Sequence, residues 1–441
     1  MKNYLLLFLF LFISFNANAL SIITDEETQS YLEDVLTPIY QTANLPFSSD
    51  KIHIVKDNTL NAFVGNANNM FIHTGTLLKA SNTNEIEGVL AHETGHILGG
   101  HLLRLKIQLQ SLEKASLASL IAAAGAAAVS GRGDAAIAVV LGTQSTAINA
   151  MTSYQVTEER AADEFAVQLL SKQQKSIKGL KDFMEKIKTS NRLEGLSESP
   201  YFRTHPLTHE RISFFNEKLK TQSPLASNNS LDARLKRIQA KLYAYLSPLP
   251  KVLTKYPLTD TSQEATIAHS VYYMRQRNLT KALNYIEKLI QKEPSNPYFW
   301  ELKAQALLES SSPKEASIAY KKSLDLKPQS DIFKLSYAES LLASSPKREA
   351  QLSLVPLLEH ANRNQAYPEA YRMLGLIYNN TGQFATSNYY TAEYYHAIGN
   401  NPQAEKMLKK ALSSPLREDI KLRALDLQQK LNTPKTKKTL L

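Results

Sequence analysis

Length, composition and charge set the first limits on what this chain can be. Its 441 residues suffice for two or three domains, each with a core of its own. The chain has no cysteine, which excludes disulfides and the lipid-modified cysteine of a lipoprotein. The formal net charge of +10 favours acidic surfaces but identifies no particular partner.

Residues 1–19 have the pattern of a secretory signal peptide. Lys2 precedes an apolar run at 4–15, and the small-x-small sequence ANA follows at 17–19. A retained membrane anchor is the alternative, but the run is shorter than the roughly 20 residues that span a bilayer. We expect this segment to be removed and the mature chain to be exported to the bacterial periplasm.

Residues 20–221 have the features of an α+β domain. Apolar and charged positions mix at helical spacing in 25–45 and 84–113. In contrast, 51–57 (KIHIVKD) and 70–78 (MFIHTGTLL) contain the alternating or clustered β-forming residues of strands. The sequence therefore predicts helices packed on a sheet at the start of the chain.

The composition changes abruptly to Ala, Gly, Ser, Ile and Val over residues 115–151. The turn sequence SGRGD at 130–134 interrupts this segment, which predicts two short apolar helices. Neither is long enough to cross a bilayer alone. We interpret the segment as a buried helical hairpin, with peripheral membrane contact as the alternative.

Residues 222–262 are predicted to be a linker that contains a helix. The sequence at 231–246 has helical spacing, and 247–260 (SPLPKVLTKYPLTD) follows with three prolines. Because proline removes a backbone donor and disfavours helix in the preceding residue, we expect no regular structure there.

Residues 263–431 repeat with a period of 34, which is the length of a helix-turn-helix repeat. Three sets of positions recur at this interval: Ala282, Ala316 and Ala350; Tyr273, Leu307 and Leu341; Pro294 and Pro328. They resemble the tetratricopeptide repeat (TPR) pattern, so we predict an all-α solenoid with a concave binding surface. An irregular helical bundle is the alternative.

The tail at 432–441 is basic but lacks the aromatic residues of a base-stacking groove, so no nucleic-acid partner is expected.

The stretch AHETGHILGGH at 91–101 contains three of the chain's ten histidines. His92 and His96 are four apart, so on one helix both imidazoles project from the same face and can ligate one zinc ion. Glu93 follows the first ligand, where its carboxylate can act as the general base for attack by water on a peptide carbonyl. A chance HExxH in an apolar helix is the alternative.

A catalytic zinc needs a third protein ligand. His101 is one candidate, but on an unbroken helix it would point about 140° away from His96. The segment TEERAADEFAVQLL offers Glu159, with Asp163 four residues later to accept a hydrogen bond from a ligand histidine. The spacing leaves Glu158 open as the alternative to Glu159, and a merely solvated acidic face is a further alternative.

HExxH followed by ExxAD resembles the gluzincin peptidases of the HtpX and CAAX-prenyl-protease type. The resemblance implies a zincin-type fold, with Glu159 as the third ligand of one zinc ion and Asp163 beside the ligands. It also implies that His205, in the sequence THPLTHERI, can occupy the open metal position and hold the enzyme at rest. Arg211 follows, either to stabilise an oxyanion, to anchor this loop, or merely to form a surface salt bridge.

The sequence Asn61-Ala62-Phe63-Val64 resembles the active-site strand of the same peptidases. If it lies at the edge of the sheet above the metal, an extended polypeptide can pair with its backbone without a strict sequence requirement. Unfolded chains would then be substrates, whereas folded proteins would be excluded.

The resemblance, the signal pattern and the repeats together imply a periplasmic zinc endopeptidase that degrades or assists misassembled outer-membrane β-barrel proteins. The TPR array would dock on the outer-membrane assembly machinery. A mainly non-proteolytic chaperone or scaffold with a latched zinc site is the alternative. A membrane-embedded prenyl-protein protease would need spanning helices that 115–151 is too short and too interrupted to provide.

Overall fold

The computed structural model describes residues 21–111, 114, 118, 155–193, 201–202, 205–222, 229–345, 347–364 and 367–432. The predicted signal peptide, the apolar hairpin at 115–151 apart from residue 118, and all but the first residue of the basic tail lie outside this part of the chain. Within it, no helix has both the length and the apolar character needed to cross a membrane.

A four-stranded sheet forms the base of the N-terminal domain. Its strands are β1 (Ile22–Ile23), β2 (Ile52–Val55), β3 (Ala62–Gly65) and β4 (Asn69–His73), in the spatial order β1-β2-β4-β3. β2 and β4 are parallel, while the pairs β1–β2 and β3–β4 are antiparallel. β3 therefore lies at an edge of the sheet, where the described residues contribute no further strand.

The segment at 70–78 is only partly a strand, which corrects the sequence prediction. The strand ends at His73 and the chain continues directly as α2 (Thr74–Lys79). The hydroxyl of Thr74 donates to the carbonyl oxygen of Asp57, and that of Thr76 donates to Asn61. These two bonds tie the first turn of α2 to the segment between β2 and β3, so the backbone leaves the hydrogen-bonded ladder of the sheet there.

Helices cover the sheet and enclose the core. They are α1 (Glu26–Thr42), α2, α3 (Thr83–Gly99), α4 (101–111), α5 (155–172), α6 (Lys178–Leu193) and α7 (His209–Lys220). α3 is central, because it contacts α1, α6 and β3. Glycine permits this packing: a Cβ on Gly88 would lie 2.5 Å from the backbone nitrogen of Leu180 in α6. The result is one apolar core beneath the site-bearing face of α3.

The region predicted as a linker is an integral part of both halves. Helix α8 (Asn229–Leu246) places Leu235, Ile238 and Leu242 in the peptidase core and Ala240 and Ala244 in the core of the first repeat. The expectation of irregular structure at 247–260 was wrong in part, because α9 (Leu249–Lys255) is helical. Its prolines stand at the helix start, where a missing N–H costs nothing.

Buried charges reinforce the junction between the two halves. Lys241 of α8 is buried, and its Nζ lies 2.6 Å from Oδ2 of Asp25 and 3.3 Å from Oε2 of Glu27. Lys327 of the solenoid lies 2.7 Å from Oε1 of Glu26. The start of α1 thus contacts both α8 and the repeats.

The solenoid is built from antiparallel helix pairs, as the repeat predicted. The helices are α10 (Gln263–Arg275), α11 (Leu279–Lys292), α12 (Pro297–Glu309), α13 (Pro313–Leu326), α14 (Asp331–Ser344), α15 (Arg348–Leu352), α16 (Val355–Asn364), α17 (Pro368–Asn380), α18 (Phe384–Ala397), α19 (Asn401–Leu412) and α20 (Glu418–Asn432). Ala282 and Ala316 are fully buried between paired helices. The third pair departs from the period, because its second helix is broken into α15 and α16, and Ala350 there is only half-buried.

Candidate metal and active site

Helix α3 brings His92, Glu93 and His96 together. The Nε2 atoms of the two histidines lie 3.2 Å apart, as expected for side chains one helical turn apart on one face. His92 and Glu93 are buried. Asn82 caps the helix by accepting a hydrogen bond from the backbone N–H of Glu85.

Glu159 of α5 joins these histidines, whereas Glu158 does not. Oε2 of Glu159 lies 3.2 Å from Nε2 of His92, and Oε1 lies 3.2 Å from Nε2 of His96. The carboxylate of Glu158 instead accepts hydrogen bonds from Arg104. The two glutamates therefore face different neighbours, and Glu159 is the one placed for metal binding.

Small residues let α5 approach α3 closely enough for this contact. A Cβ on Gly95 would lie 2.6 Å from the carbonyl oxygen of Ala162. A larger residue at position 95 would push the two helices apart and separate Glu159 from the histidines.

Asp163 and Arg211 lie directly behind the ligands. Oδ1 of Asp163 is 2.9 Å from Nδ1 of His92, within hydrogen-bonding distance. Arg211 donates to both oxygens of Asp163 at 2.6 and 2.8 Å, and to the carbonyl oxygen of Pro206 at 2.9 Å. Its Nη1 also lies 2.8 Å from Oε2 of Glu159. Arg211 is buried, so the surface salt bridge considered for it is wrong, and its contacts are those of an anchor.

His205 reaches the same cluster from the segment before α7. Its Nδ1 lies 3.0 Å from Oε1 of Glu159 and its Nε2 lies 3.6 Å from Oε1 of Glu93. The ring of Tyr201 stacks on His205 with centroids 4.6 Å apart. Sequence reasoning missed Tyr201, whose only signal is an aromatic residue one turn before the histidine.

Burial and charge set the protonation of the cluster. Burial lowers the pKa of His96 to about 3. For His92 burial acts in the same direction, but the contacts with Asp163 and Glu159 outweigh it and raise the pKa to about 10. Burial raises the pKa of Glu93. Although burial opposes it, the attraction of His205 and His92 holds the pKa of Glu159 well below its usual range. The cluster therefore favours binding of a positively charged ion.

The donor set fits a metal ion. One nitrogen or oxygen from each of His92, His96, Glu159 and His205 lies within 4.8 Å of the others. A tetrahedral metal with bonds of about 2.0–2.1 Å would place its ligand atoms roughly 3.3 Å apart. The Nε2 atoms of His92 and His96 are 3.2 Å apart, and each lies 3.2 Å from one oxygen of the Glu159 carboxylate, Oε2 for His92 and Oε1 for His96. Both oxygens of Glu93 are buried without a hydrogen-bond partner, which leaves them available beside the metal position.

A cleft of about 270 Å³ opens onto this cluster. The edge strand β3 supplies Phe63 and Val64 to its wall, and α4 supplies Leu102 and Leu105. Asn61 and Ala62 are buried at the start of the strand. The predicted substrate strand thus lies beside the candidate metal ligands, at a sheet edge to which the described residues add no further strand.

The chain matches two families. Residues 26–218 match peptidase family M48, and residues 267–331 match a tetratricopeptide repeat family. The fold and site therefore define a metallopeptidase domain followed by a TPR solenoid, which confirms the predicted fold class. The matched range 26–218 includes the HExxH and ExxAD motifs on which the resemblance rested.

Three curated relatives illustrate this similarity. A "Putative beta-barrel assembly-enhancing protease" of Vibrio cholerae is 23% identical over 287 residues, which cover 63% of this chain and 58% of the relative. The "Beta-barrel assembly-enhancing protease" of Escherichia coli K12 is 21% identical over 337 residues, or 75% and 68% of the two chains. "Metalloprotease YcaL" of the same strain is 34% identical over 144 residues, 32% of this chain and 52% of that protein. The chain thus spans 58% of the length of the Vibrio relative.

Proposed function

We propose that this protein is a zinc-dependent endopeptidase of the periplasm that acts on unfolded or misassembled outer-membrane β-barrel proteins. The observation that carries the proposal is the buried cluster of His92, His96 and Glu159 with the unpartnered carboxylate of Glu93 beside it. The names of the similar proteases support the substrate class, and the signal pattern at 1–19 supports the location.

The chemistry follows from the position of Glu93. A zinc ion held by His92, His96 and Glu159 would polarise the substrate carbonyl and lower the pKa of an attacking water to about 7. Glu93 would take the proton from that water and return it to the leaving amine. Because burial raises the pKa of Glu93, its carboxyl group can hold this proton between the two steps.

The edge strand β3 would hold the substrate in extended form. Asn61, the residue before the strand, is held through its backbone: its N–H donates to the hydroxyl oxygen of Thr76, and its carbonyl oxygen accepts from the N–H of His73. The Oδ1 atom of Asn61 is buried without a partner. A polypeptide paired with β3 would pass over the cleft, and chains already folded into a closed barrel would have no free strand to offer.

The solenoid would serve as the docking surface for the assembly machinery. It forms separate apolar cores from the peptidase domain, and its junction is held by Lys241 and Lys327. Stacked TPR pairs present a concave face suited to extended partners. The solenoid could therefore bring the peptidase domain to a stalled substrate.

A second candidate function is a chaperone or scaffold whose zinc site is latched by His205. The observation in its favour is the position of His205, whose Nδ1 lies 3.0 Å from the ligand oxygen of Glu159. A fourth protein ligand would take the place of the attacking water. In that case His205→Ala should raise cleavage of a test substrate, and unchanged or lower activity would contradict the latch.

Casein cleavage by the purified protein tests the main proposal. Glu93→Gln should reduce cleavage by about 10²–10⁴-fold, the usual contribution of a general base, with bound zinc unchanged. Glu164→Gln is the matched control, because Glu164 is an exposed carboxylate on α5. Equal cleavage by wild type and Glu93→Gln would refute the mechanism.

A second experiment uses cells that produce Glu93→Gln in place of the wild-type protein. If this variant still supports outer-membrane integrity, binding rather than cleavage is the useful activity.

A further inference from the structure

The outward nitrogen of His96 has a specific partner. Nε2 of His96 faces Glu159, and its Nδ1 lies 2.7 Å from Nδ1 of His101. A metal bound through Nε2 requires the proton of the neutral ring to be on Nδ1. Between two nitrogens this close there is room for one proton only, so His96 donates it and His101 accepts.

Glu158 completes the contact on the far side of His101. Nε2 of His101 lies 2.5 Å from Oε2 of Glu158. Since Nδ1 of His101 is the acceptor, the proton of its neutral ring must be on Nε2, facing this carboxylate. Glu158 is held in turn by Arg104, whose Nε donates to Oε1 at 3.0 Å and whose Nη2 donates to Oε2.

The backbone at the end of α3 explains why His101 can reach His96. On a continuous helix His101 would point about 140° away. Gly100 has a φ of 65° and ends the helix in the left-handed conformation, so α4 begins in a new direction with His101. Gly99 leaves space for the ring, because a Cβ there would overlap the imidazole of His101. Both glycines of the sequence GGH are therefore needed for the contact.

We propose that His101, Glu158 and Arg104 are positioning residues that fix the tautomer and orientation of the ligand His96. This inference rests on the proposed metal site. Asp163 and Arg211 stand in the same relation to His92, so each ligand histidine has its own carboxylate and arginine. The difference is that His96 reaches its carboxylate through a second imidazole.

Zinc affinity measured on the stripped, full-length protein by competition with a chromophoric chelator tests the proposal. His101→Leu should weaken zinc binding about 10–100-fold, the usual effect of losing a partner of a metal ligand. His101→Gln should restore most of the affinity, because its amide can accept from His96 and donate to Glu158. His53→Leu is the matched control, since His53 is a partly buried histidine bonded to Asn69.

Two further variants address the rest of the contact. Glu158→Gln should weaken zinc binding less than His101→Leu, and Gly99→Ala should weaken it by displacing the imidazole. The unfolding temperature of each metal-free variant is measured in parallel. The visible spectrum of the cobalt-substituted protein should change in His101→Leu and recover in His101→Gln.

The outcomes separate the two proposals. No zinc bound by wild type refutes the metal site itself. Zinc bound equally by wild type and His101→Leu overturns the positioning role while leaving the metal site intact. Equal losses in His101→Leu and His101→Gln, with both metal-free proteins less stable, would assign His101 a structural role only and also overturn the proposal.

Discussion

The candidate site of the peptidase domain is a cluster of buried polar side chains, whereas the interior of the solenoid is made of apolar side chains. His92, Glu93, Glu159, Asp163 and Arg211 are all buried around one point. In the solenoid the fully buried positions include Ala282, Ala316 and Ala404, with tyrosines such as Tyr390 filling the gaps. Each polar group needs one exact partner, but each apolar group needs only suitable volume. We therefore expect the site to respond to the loss of a single polar partner, and the solenoid interior to respond to changes in side-chain volume.

The largest effect should follow from removing Asp163. Asp163→Ala would leave the guanidinium of Arg211 and Nδ1 of His92 without their main partner in the interior. Breaking a buried ion pair in this way costs about 3–5 kcal/mol of stability. Thermal unfolding of the peptidase domain, followed by circular dichroism and by zinc release, measures it. Asp163→Asn is the control, because it keeps an acceptor for His92; a loss below about 1 kcal/mol in Asp163→Ala would contradict the comparison.

A matched pair of substitutions in the solenoid should have smaller and unequal effects. Ala316→Leu adds volume to a fully buried site and should cost about 1–3 kcal/mol. Ala350→Leu occupies the equivalent repeat position where the helix is broken, and its half-buried site should change stability by no more than about 0.5 kcal/mol. Urea unfolding followed by the fluorescence of Trp300, the single tryptophan and part of α12, reports on the solenoid. Equal costs at both positions would mean that the third pair packs like the others.

A further effect should appear at the junction and should depend on pH. Burial and the nearby Asp25 outweigh the attraction of Lys241 and raise the pKa of Glu301 to about 8. The folded protein thus retains a proton that the unfolded chain, with a glutamate pKa of about 4.3, has released. This group favours folding below about pH 4, and its contribution is lost as the pH rises towards 8.

Glu301→Gln should therefore flatten the dependence of stability on pH. The unfolding temperature of wild type should fall more than that of the variant between about pH 6 and about pH 8.5. Glu309→Gln, on the same helix and exposed, is the control. Parallel curves for wild type and Glu301→Gln would mean that Glu301 is ionised in the folded protein.

The sequence predicted the site best where the chemistry demanded particular residues at a fixed spacing. The HExxH spacing placed His92, Glu93 and His96 on one helix, and the helix is observed. The choice of Glu159 over Glu158 required the family resemblance, because either carboxylate could face the histidines. The role of His101 could not be deduced from helical spacing, since Gly100 ends the helix between His96 and His101.

The solenoid was predicted from its period rather than from individual residues. The 34-residue interval located the helix pairs, but it did not indicate the break between α15 and α16. The helix at 249–255 was missed because prolines were counted as helix breakers without regard to their position at a helix start. The contribution of α8 to two cores depends on tertiary contacts between distant segments, for which a single sequence has no local signal.

Zinc content of the purified full-length protein, with Glu159→Gln and Glu164→Gln measured beside wild type, is the most direct test of the metal centre. Both variants remove one carboxylate charge from α5, but only Glu159 contacts the two histidines. We predict about one zinc per chain in wild type and Glu164→Gln, and loss of zinc in Glu159→Gln. Zinc retained at the wild-type level in Glu159→Gln, or absent from wild type, would contradict the account.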